Sequence, residues 1–320
     1  MSSYPKMFEK IKAQTKPKKI LKAQLKSAKV AHAYIFIGQS GIGKRLTAVE
    51  FAKVINCTVN DFTKTDIGAC GKCNSCRKIE KGTYSDLHII DFQKQAELLD
   101  EDEKKQTKNK VIKIETIRHL QKQVLTSPLE GKWKIFIIDP AEKMNSAAAN
   151  CLLKTLEEPP PYTMLILIAA HKETIPQTIV SRSQVLYFEP LKENDVLSYL
   201  LVSHGLGAAE AEKIAALSEG SLETARTIAE AGTTGGADLW LKLKNPLAPV
   251  SDILDLSRAH SKTALETMDA LIWEAKKDFR LFPQKTQSKL NSLFNYKALL
   301  LKNVNSQTVM DNLFLELAEN

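Results

Sequence analysis

The sequence predicts an α/β domain with a parallel sheet over residues 1–190, followed by a small helical domain at 191–232 and a second helical domain at 233–320. Three observations support this. Short apolar runs alternate with helical patterns up to about residue 190, which is typical of strands covered by helices on both faces. A glycine-rich segment separates the first such run from the next helical pattern. After Pro190 the strand signals stop.

Five strands are expected in the first domain, each a short apolar run rich in β-formers. They are Ala33–Gly38, Leu87–Phe92, Lys134–Asp139, Met164–Ala170 and Val185–Phe188. Helical spacing predicts helices at Lys44–Asn56, at Val111–Val124, from an Asn145 cap to Glu158, and at Ile175–Gln184. The charged tract Gln93–Lys110 contains few β-formers, and we expect a mobile loop there.

The remaining residues predict helices only. Three short helices are expected in 191–230, with Gly220-Ser221 as a turn and helix cap. The segment Gly232–Asp238 (GTTGGAD) has the composition of a linker, and the chain beyond it follows a helical period.

Composition places the chain among ordinary globular proteins, with 43% hydrophobic and 26% charged residues in 320. No apolar run approaches the roughly 20 residues needed to span a bilayer. The N-terminal segment MSSYPKMFEKIK has no apolar core of the signal-peptide kind. We therefore expect a cytoplasmic protein without a membrane partner.

The net charge of +8 is concentrated at the N-terminus, where residues 1–29 hold nine lysines and one acid, Glu9. Such a block suggests a nearby polyanion, most plausibly nucleic acid. A solvated helix face explains the same pattern equally well, because no arginine or aromatic pattern accompanies the lysines. Both interpretations stay open.

The segment Gly38–Arg45 (GQSGIGKR) fits the phosphate-loop pattern G-x-x-x-x-G-K between a strand and a helix. Glycines at Gly38, Gly41 and Gly43 let backbone N–H groups converge on phosphate oxygens, and the helix N-terminus adds its positive end. Lys44 would reach the outer phosphates. The pattern and its context together predict a nucleotide site.

Two parts of the hydrolytic apparatus are missing from this site. The residue after the lysine is normally a serine or threonine whose hydroxyl binds Mg²⁺, whereas here it is Arg45, which has only donor nitrogens. The second carboxylate on the magnesium side is present as Asp139. The glutamate that usually follows it is replaced by Pro140, and we expect Glu142 on the far side of the turn from the phosphates. The site is therefore predicted not to hydrolyse ATP.

One arginine, Arg182, lies in the motif Ser181-Arg182-Ser183 near the end of the predicted helix after the fourth strand. In ring-forming ATPases an arginine at this place reaches the γ-phosphate bound by a neighbouring subunit. Spacing alone favours an ordinary surface arginine in a turn.

Four cysteines follow the spacing Cys57-x12-Cys70-x2-Cys73-x2-Cys76. Clustered cysteines in a cytosolic chain favour metal over disulfides, and four thiolates suit one tetrahedral structural zinc. Free thiols and an iron–sulfur cluster are the alternatives. The fifth, Cys151, falls on an apolar helix face and is predicted to be a packed thiol.

Several long motifs together resemble the bacterial clamp-loader family of DNA polymerase III, and most closely its delta-prime type. They are AHAYIFIGQSGIGKR, the cysteine quartet, SDLHIID, KIFIIDPAEKMNSAAANCLLKTLEEPPPYTMLILIA and IVSRSQ, with a further likeness in LLLKNVNSQTV and DNLFLEL near the C-terminus. The first set covers most of residues 20–190.

This resemblance implies an AAA+ core at 1–190 with a zinc module at 57–76, a lid at 191–232 and a collar at 233–320 that joins five subunits. It implies that Arg182 completes the ATP site of a neighbouring gamma/tau subunit. The delta subunit, the sliding clamp and primer-template DNA are the further partners, and ATP or ADP at the remnant loop stays open. The chain departs from the motor subunit's pattern at Ser183, where cysteine is usual. It also departs at Glu223, where an arginine senses nucleotide; Arg226 lies one turn later.

Two other functions stay open. The chain could be an active AAA+ ATPase of the gamma/tau or recombination type, against which Arg45 and Pro140 argue. It could also be a zinc-stabilised DNA-binding adaptor, for which a steep salt dependence of DNA affinity would be the sign.

Overall fold

The computed structural model describes residues 8, 11, 13–60, 68–99, 111–231, 234–244, 249–301 and 304–319. It divides the chain into two compact units, Met1–Lys192 and Glu193–Asn320. This boundary lies close to the end of the predicted α/β domain. The further division of the second unit into lid and collar stays a prediction.

The first unit contains a five-stranded, all-parallel sheet, as predicted. The strands are β1 (Ala33–Ile37), β2 (Leu87–Ile90), β3 (Lys134–Ile138), β4 (Thr163–Ala169) and β5 (Gln184–Tyr187). Their order across the sheet is β2-β3-β4-β1-β5. The carboxyl ends of β1, β3 and β4 therefore meet at one edge of the sheet, which is where ligands bind in open parallel sheets.

Seven helices accompany this sheet within the described residues. They are α1 (Thr15–Lys26), α2 (Lys44–Asn56), α3 (Asn74–Glu80), α4 (Phe92–Leu98), α5 (Ile114–Val124), α6 (Ser146–Glu157) and α7 (Gln177–Val180). Asn145 caps α6 as expected, because the backbone N–H of Ala148 donates to its side chain at 2.7 Å. The helix predicted at Ile175–Gln184 is limited to the four residues of α7.

The predicted loop at Gln93–Lys110 is wrong in its first part, which forms α4. Asp91 caps this helix by accepting from the backbone N–H of Lys94 at 2.8 Å. The buried Gln95 then joins α4 to α5 by hydrogen bonds to the backbone of Val111 and Lys113 and to the hydroxyl of Thr116. Residues 100–110 lie outside the described residues.

Two apolar cores cover the two faces of the sheet. On β1, Tyr34 and Phe36 belong to the core that includes α1, α2 and the cysteine region. Ala33, Ile35 and Ile37 face the other core, which includes α5 and α6. The central strands are buried throughout, in agreement with their near-continuous apolar sequences.

The second unit is helical over its described residues. Its helices are α8 (Glu193–Ser203), α9 (Ala208–Leu217), α10 (Leu222–Ala231), α11 (Thr234–Leu243), α12 (Val250–His260), α13 (Ala264–Leu281), α14 (Pro283–Leu301) and α15 (Ser306–Glu319). The three short helices predicted at 191–230 are confirmed. Ser221 caps α10, since its hydroxyl accepts from the backbone N–H of Thr224 at 3.2 Å.

The predicted linker at Gly232–Asp238 is wrong from Thr234 onward, because those residues begin α11. This helix is held by Leu239, Trp240 and Leu243, which are buried in the core of the second unit. Within the described ranges, none of the helices combines the length and apolarity that crossing a bilayer requires.

Candidate functional site

The glycine-rich segment connects β1 directly to α2, as the phosphate-loop motif requires. Gly43 has a φ of 92° at the start of α2. Gly38 has a φ of +150°, and a Cβ added there would lie 2.7 Å from the carbonyl oxygen of Phe188. Both positions therefore need glycine, one for its backbone conformation and the other also for the close approach of the end of β5.

Lys44 is nearly buried, and its ammonium group points back into the loop. It donates hydrogen bonds to the carbonyl oxygens of Gly38 and Gln39, the latter at 2.6 Å. The charge is thus held inside the turn that the motif forms around phosphates. The contact of Lys44 with nucleotide phosphates stays a prediction.

A residue that the sequence did not indicate, Gln14, fastens the loop to the end of β5. Its side-chain amide donates to the carbonyl of Ile42 at 3.1 Å and to that of Glu189 at 2.7 Å. Its carbonyl oxygen accepts from the backbone N–H of Glu189 at 3.1 Å. Gln14 is buried, so these bonds fix the phosphate loop beside the end of β5.

The side chain of Arg45 lies between two carboxylates at the end of the sheet. One guanidinium nitrogen is 2.5 Å from Oδ2 of Asp91, and another is 3.8 Å from Oδ2 of Asp139. The predicted residue Asp139 is therefore joined by Asp91, which sequence reasoning missed. The sequence did contain a signal for Asp91, because Asp91 directly follows a strand, as Asp139 does.

The two aspartates meet because β2 and β3 are neighbours. Ile90 pairs with Ile138, and the backbone N–H of Asp139 donates to the carbonyl of Ile90 at 2.9 Å. Burial raises the pKa of Asp139, while the nearby charges of Arg45 and Lys44 lower it. The carboxylate is thus partly desolvated, and the two cations offset part of the effect of burial.

The residue after Asp139 is Pro140, which offers no polar side chain at this edge of the sheet. Glu142 is not on the far side of the turn as expected. Its Oε1 accepts from the backbone N–H of Ala170 at 3.3 Å, directly after β4, and its charge contributes to the raised pKa of Asp139. Its other oxygen is buried without a hydrogen-bond partner among the described residues.

Arg182 lies in an exposed turn after α7, in the place predicted for it. Its guanidinium group donates to the backbone carbonyl of Thr178 at 3.0 Å and pairs with the carboxylate of Glu157, at the end of α6, at 2.9 Å. Over a third of the side chain is exposed. In the second unit, Arg226 is likewise exposed, on α10.

The four predicted metal ligands come together. The sulfurs of Cys57, Cys70, Cys73 and Cys76 all lie within 4.8 Å of one another. Two of the sulfur–sulfur distances are 3.9 Å and 4.0 Å. Zn–S bonds of about 2.3 Å in a tetrahedron place the sulfurs about 3.8 Å apart. The cluster therefore has the dimensions of a tetrahedral thiolate site.

Backbone N–H groups point at three of these sulfurs. Cys70, Cys73 and Cys76 donate from their backbone nitrogens to the preceding sulfur in the set, at 3.4, 3.2 and 3.5 Å. Such bonds stabilise thiolates. The side-chain contact with Cys76 lowers the pKa of Cys57 to about 4, and the same contact raises the pKa of Cys76. The four cysteines can bind one metal ion.

The first unit as a whole has the features of a P-loop nucleotide-binding protein. It combines a parallel sheet, a phosphate loop between β1 and α2, and a carboxylate directly after β3. The family within this class of proteins is given by sequence similarity. Residues 13–192, more than half of the chain, match the family described as "DNA polymerase III, delta subunit". The chain belongs to this family, and its resemblance to clamp-loader proteins is thereby confirmed.

Curated relatives include two kinds of DNA polymerase III subunit. The delta' subunit of Bacillus subtilis is 32% identical over 188 residues, which cover 59% of this chain and 51% of the relative. The tau/gamma subunit of Haemophilus influenzae is 33% identical over 196 residues, which cover 61% of this chain and 26% of the relative. The chain thus spans a quarter to a half of the length of these relatives.

A solved structure, a DNA polymerase III gamma subunit-related protein from Thermotoga maritima, is similar in fold over most of both chains. Its TM-score is 0.53 at 18% identity, and the alignment covers 94% of this chain and 98% of that one. At this identity the likeness concerns the fold alone. It supports the arrangement of an α/β unit followed by helices.

Proposed function

We propose that the chain is a non-hydrolysing subunit of the DNA polymerase III clamp loader, of the delta-prime kind, which supplies Arg182 to the ATP site of a neighbouring gamma/tau subunit. In this role it assists the loading of the sliding clamp on primed DNA in the cytoplasm. The observation that carries the proposal is the combination of a phosphate loop without its magnesium hydroxyl and an exposed arginine on the same unit.

The absence of hydrolysis follows from the residues around the remnant site. Arg45 offers donors where Mg²⁺ needs an oxygen ligand, and Pro140 offers nothing to orient a water molecule. Glu142 retains a carboxylate at the same edge, but it accepts a hydrogen bond from the end of β4. The curated relatives include both delta' and tau/gamma subunits, so the choice between them depends on these residues.

The transfer of Arg182 to a neighbouring site would cost little. Its contact with Glu157 is a partly exposed ion pair, and such pairs contribute about 0–1 kcal/mol. A γ-phosphate of a neighbouring subunit carries more charge than one carboxylate and accepts a bidentate pair from the guanidinium group. Glu157 would hold the arginine in place until that neighbour is present.

A structural zinc bound by the four cysteines completes the proposal. Four thiolate ligands leave no open position, so the metal would have no catalytic role. Cys57 directly follows α2, the helix that begins at the phosphate loop, and the bound metal would fix the far end of that helix.

The experiment is the substitution Arg182→Ala in a clamp loader reconstituted with gamma/tau and delta subunits. We expect DNA-stimulated ATP turnover to fall while the complex assembles in normal stoichiometry, as measured by size-exclusion chromatography with light scattering. Removal of an arginine that acts in trans on a phosphoryl group typically costs a factor of about 10³–10⁵ at that site. Because only one of several ATP sites would be affected, the total turnover of the complex should fall by a smaller factor than the turnover at that site.

The matched control is Glu157→Gln, which releases the arginine from its partner but keeps it. Turnover should be retained in this variant. Unchanged turnover in Arg182→Ala, or an equal loss in both variants, would contradict a trans role for Arg182.

A further inference from the structure

Magnesium, which P-loop nucleotide sites normally require, does not fit the residues around this loop. The place between the two aspartates at the ends of β2 and β3 is taken by the guanidinium group of Arg45. A Mg²⁺ ion would need oxygen ligands at about 2.0–2.1 Å, and it would have to approach the same carboxylates against the positive charge of the arginine. The hydroxyl that normally completes its coordination is absent.

We propose that the guanidinium group of Arg45 takes the place of the metal ion, so that the loop binds nucleotide phosphates without a divalent cation. The arrangement supplies what a metal would supply. Arg45 is permanently charged and is fixed by Asp91 and Asp139, as a metal is fixed by acidic ligands. It lies next in sequence to Lys44, and both begin the helix that follows the loop.

Arg45 keeps the capacity to contact phosphate in this position. A guanidinium group has five N–H donors in a planar fork, and the contacts to the two aspartates involve one terminal nitrogen each. The side chain is nearly half exposed, so donors that do not contact the aspartates remain accessible to a ligand. Arginine forms bidentate pairs with phosphate more readily than lysine does.

The two aspartates are held in place independently of any metal. Oδ1 of Asp91 accepts from the backbone N–H of Lys94 and thereby caps α4, while its Oδ2 contacts Arg45. Asp139 is attached to β2 through its backbone N–H. The site is therefore preorganised around the arginine, and this inference does not depend on membership of a clamp loader.

The test compares ATP binding by the full chain in excess EDTA and in Mg²⁺, measured by isothermal titration calorimetry. We expect the wild-type chain to bind ATP with dissociation constants that agree within about twofold in the two buffers, because no metal ligand is involved. Binding that requires Mg²⁺, or no detectable binding in either buffer, would overturn the inference.

The decisive variant is Arg45→Thr, which restores the hydroxyl and frees the two aspartates. Its ATP affinity should become dependent on Mg²⁺, by on the order of 10- to 100-fold, the range typical for groups that support a bound metal. Arg118→Ala removes another exposed arginine, on α5, and should behave as wild type. If Arg45→Thr remains indifferent to Mg²⁺, the arginine is not what replaces the metal. Circular dichroism confirms that each variant is folded.

Discussion

The proposed zinc site at the four cysteines gives a prediction for the thermal stability of the first unit. The perturbation is Cys73→Ser, chosen because Cys73 is the one ligand of the four that is only partly buried, so the substitution itself disturbs little packing. The other three sulfurs lie in the core on the α2 side of the sheet. Loss of the metal would therefore weaken the first unit as a whole and not only a surface loop.

The magnitude follows from mass action. A ligand that binds the folded state alone, at a thousand times its dissociation constant, stabilises that state by about 4.1 kcal/mol. For a unit of this size, each kcal/mol changes the melting temperature by about 2–4 °C. We therefore expect Cys73→Ser to lower the melting temperature by roughly 8–16 °C.

The assay is differential scanning calorimetry of the full chain, combined with metal analysis by mass spectrometry. The wild type should contain one zinc per chain and lose stability when a strong chelator is added. Cys151→Ser is the matched control, because Cys151 is also half-buried but lies on α6, apart from the cluster. A wild-type chain without bound metal, or equal effects of the two substitutions, would contradict a structural metal at the four cysteines.

Three further predictions concern the first unit. Asp86 is fully buried and accepts from the backbone N–H groups of Leu129, Glu130 and Gly131, so Asp86→Ala should cost on the order of 3–5 kcal/mol in urea unfolding; a loss below about 1 kcal/mol would contradict this. Gly38→Ala should lower the free energy of unfolding by about 2 kcal/mol because of the backbone conformation of Gly38 and the nearby carbonyl of Phe188. Gly207 lies in open space, so Gly207→Ala should leave the stability unchanged. Equal effects of the two substitutions would exclude the steric argument. Burial lowers the pKa of His88, so the unfolded chain takes up the proton first and stability should fall as the pH drops below about 6.5. His88→Phe should weaken this pH dependence in thermal unfolding between pH 5.5 and 7.5, and an unchanged slope would argue against His88 as its source.

The sequence was informative wherever a structural requirement is local. The apolar runs of the central strands are buried on both faces, and a run of that kind has few alternatives. The phosphate loop and the cysteine set each consist of residues at fixed short spacing, so the motif itself contains most of the geometry. These parts of the fold and of the candidate site could be predicted.

Features that depend on strand order or on single buried side chains could not be predicted from the sequence. Asp91 becomes part of the site only because β2 lies beside β3, and Gln14 bonds to residues far away in sequence. The predicted loop after β2 failed because the buried polar side chain of Gln95 holds α4 through hydrogen bonds to Val111 and Thr116, which an apolar pattern does not reveal. The predicted glycine-rich linker failed because three apolar residues further on pack α11 into the core.

We propose that the chain has no ATP hydrolysis of its own. Steady-state ATP turnover by the purified chain at saturating ATP and Mg²⁺ tests this most directly, with Lys44→Ala as the matched control for contaminating activity. The proposal predicts that wild type and Lys44→Ala are indistinguishable at background level. Turnover by the wild type that disappears in Lys44→Ala would show an active site in this chain and would contradict the proposal.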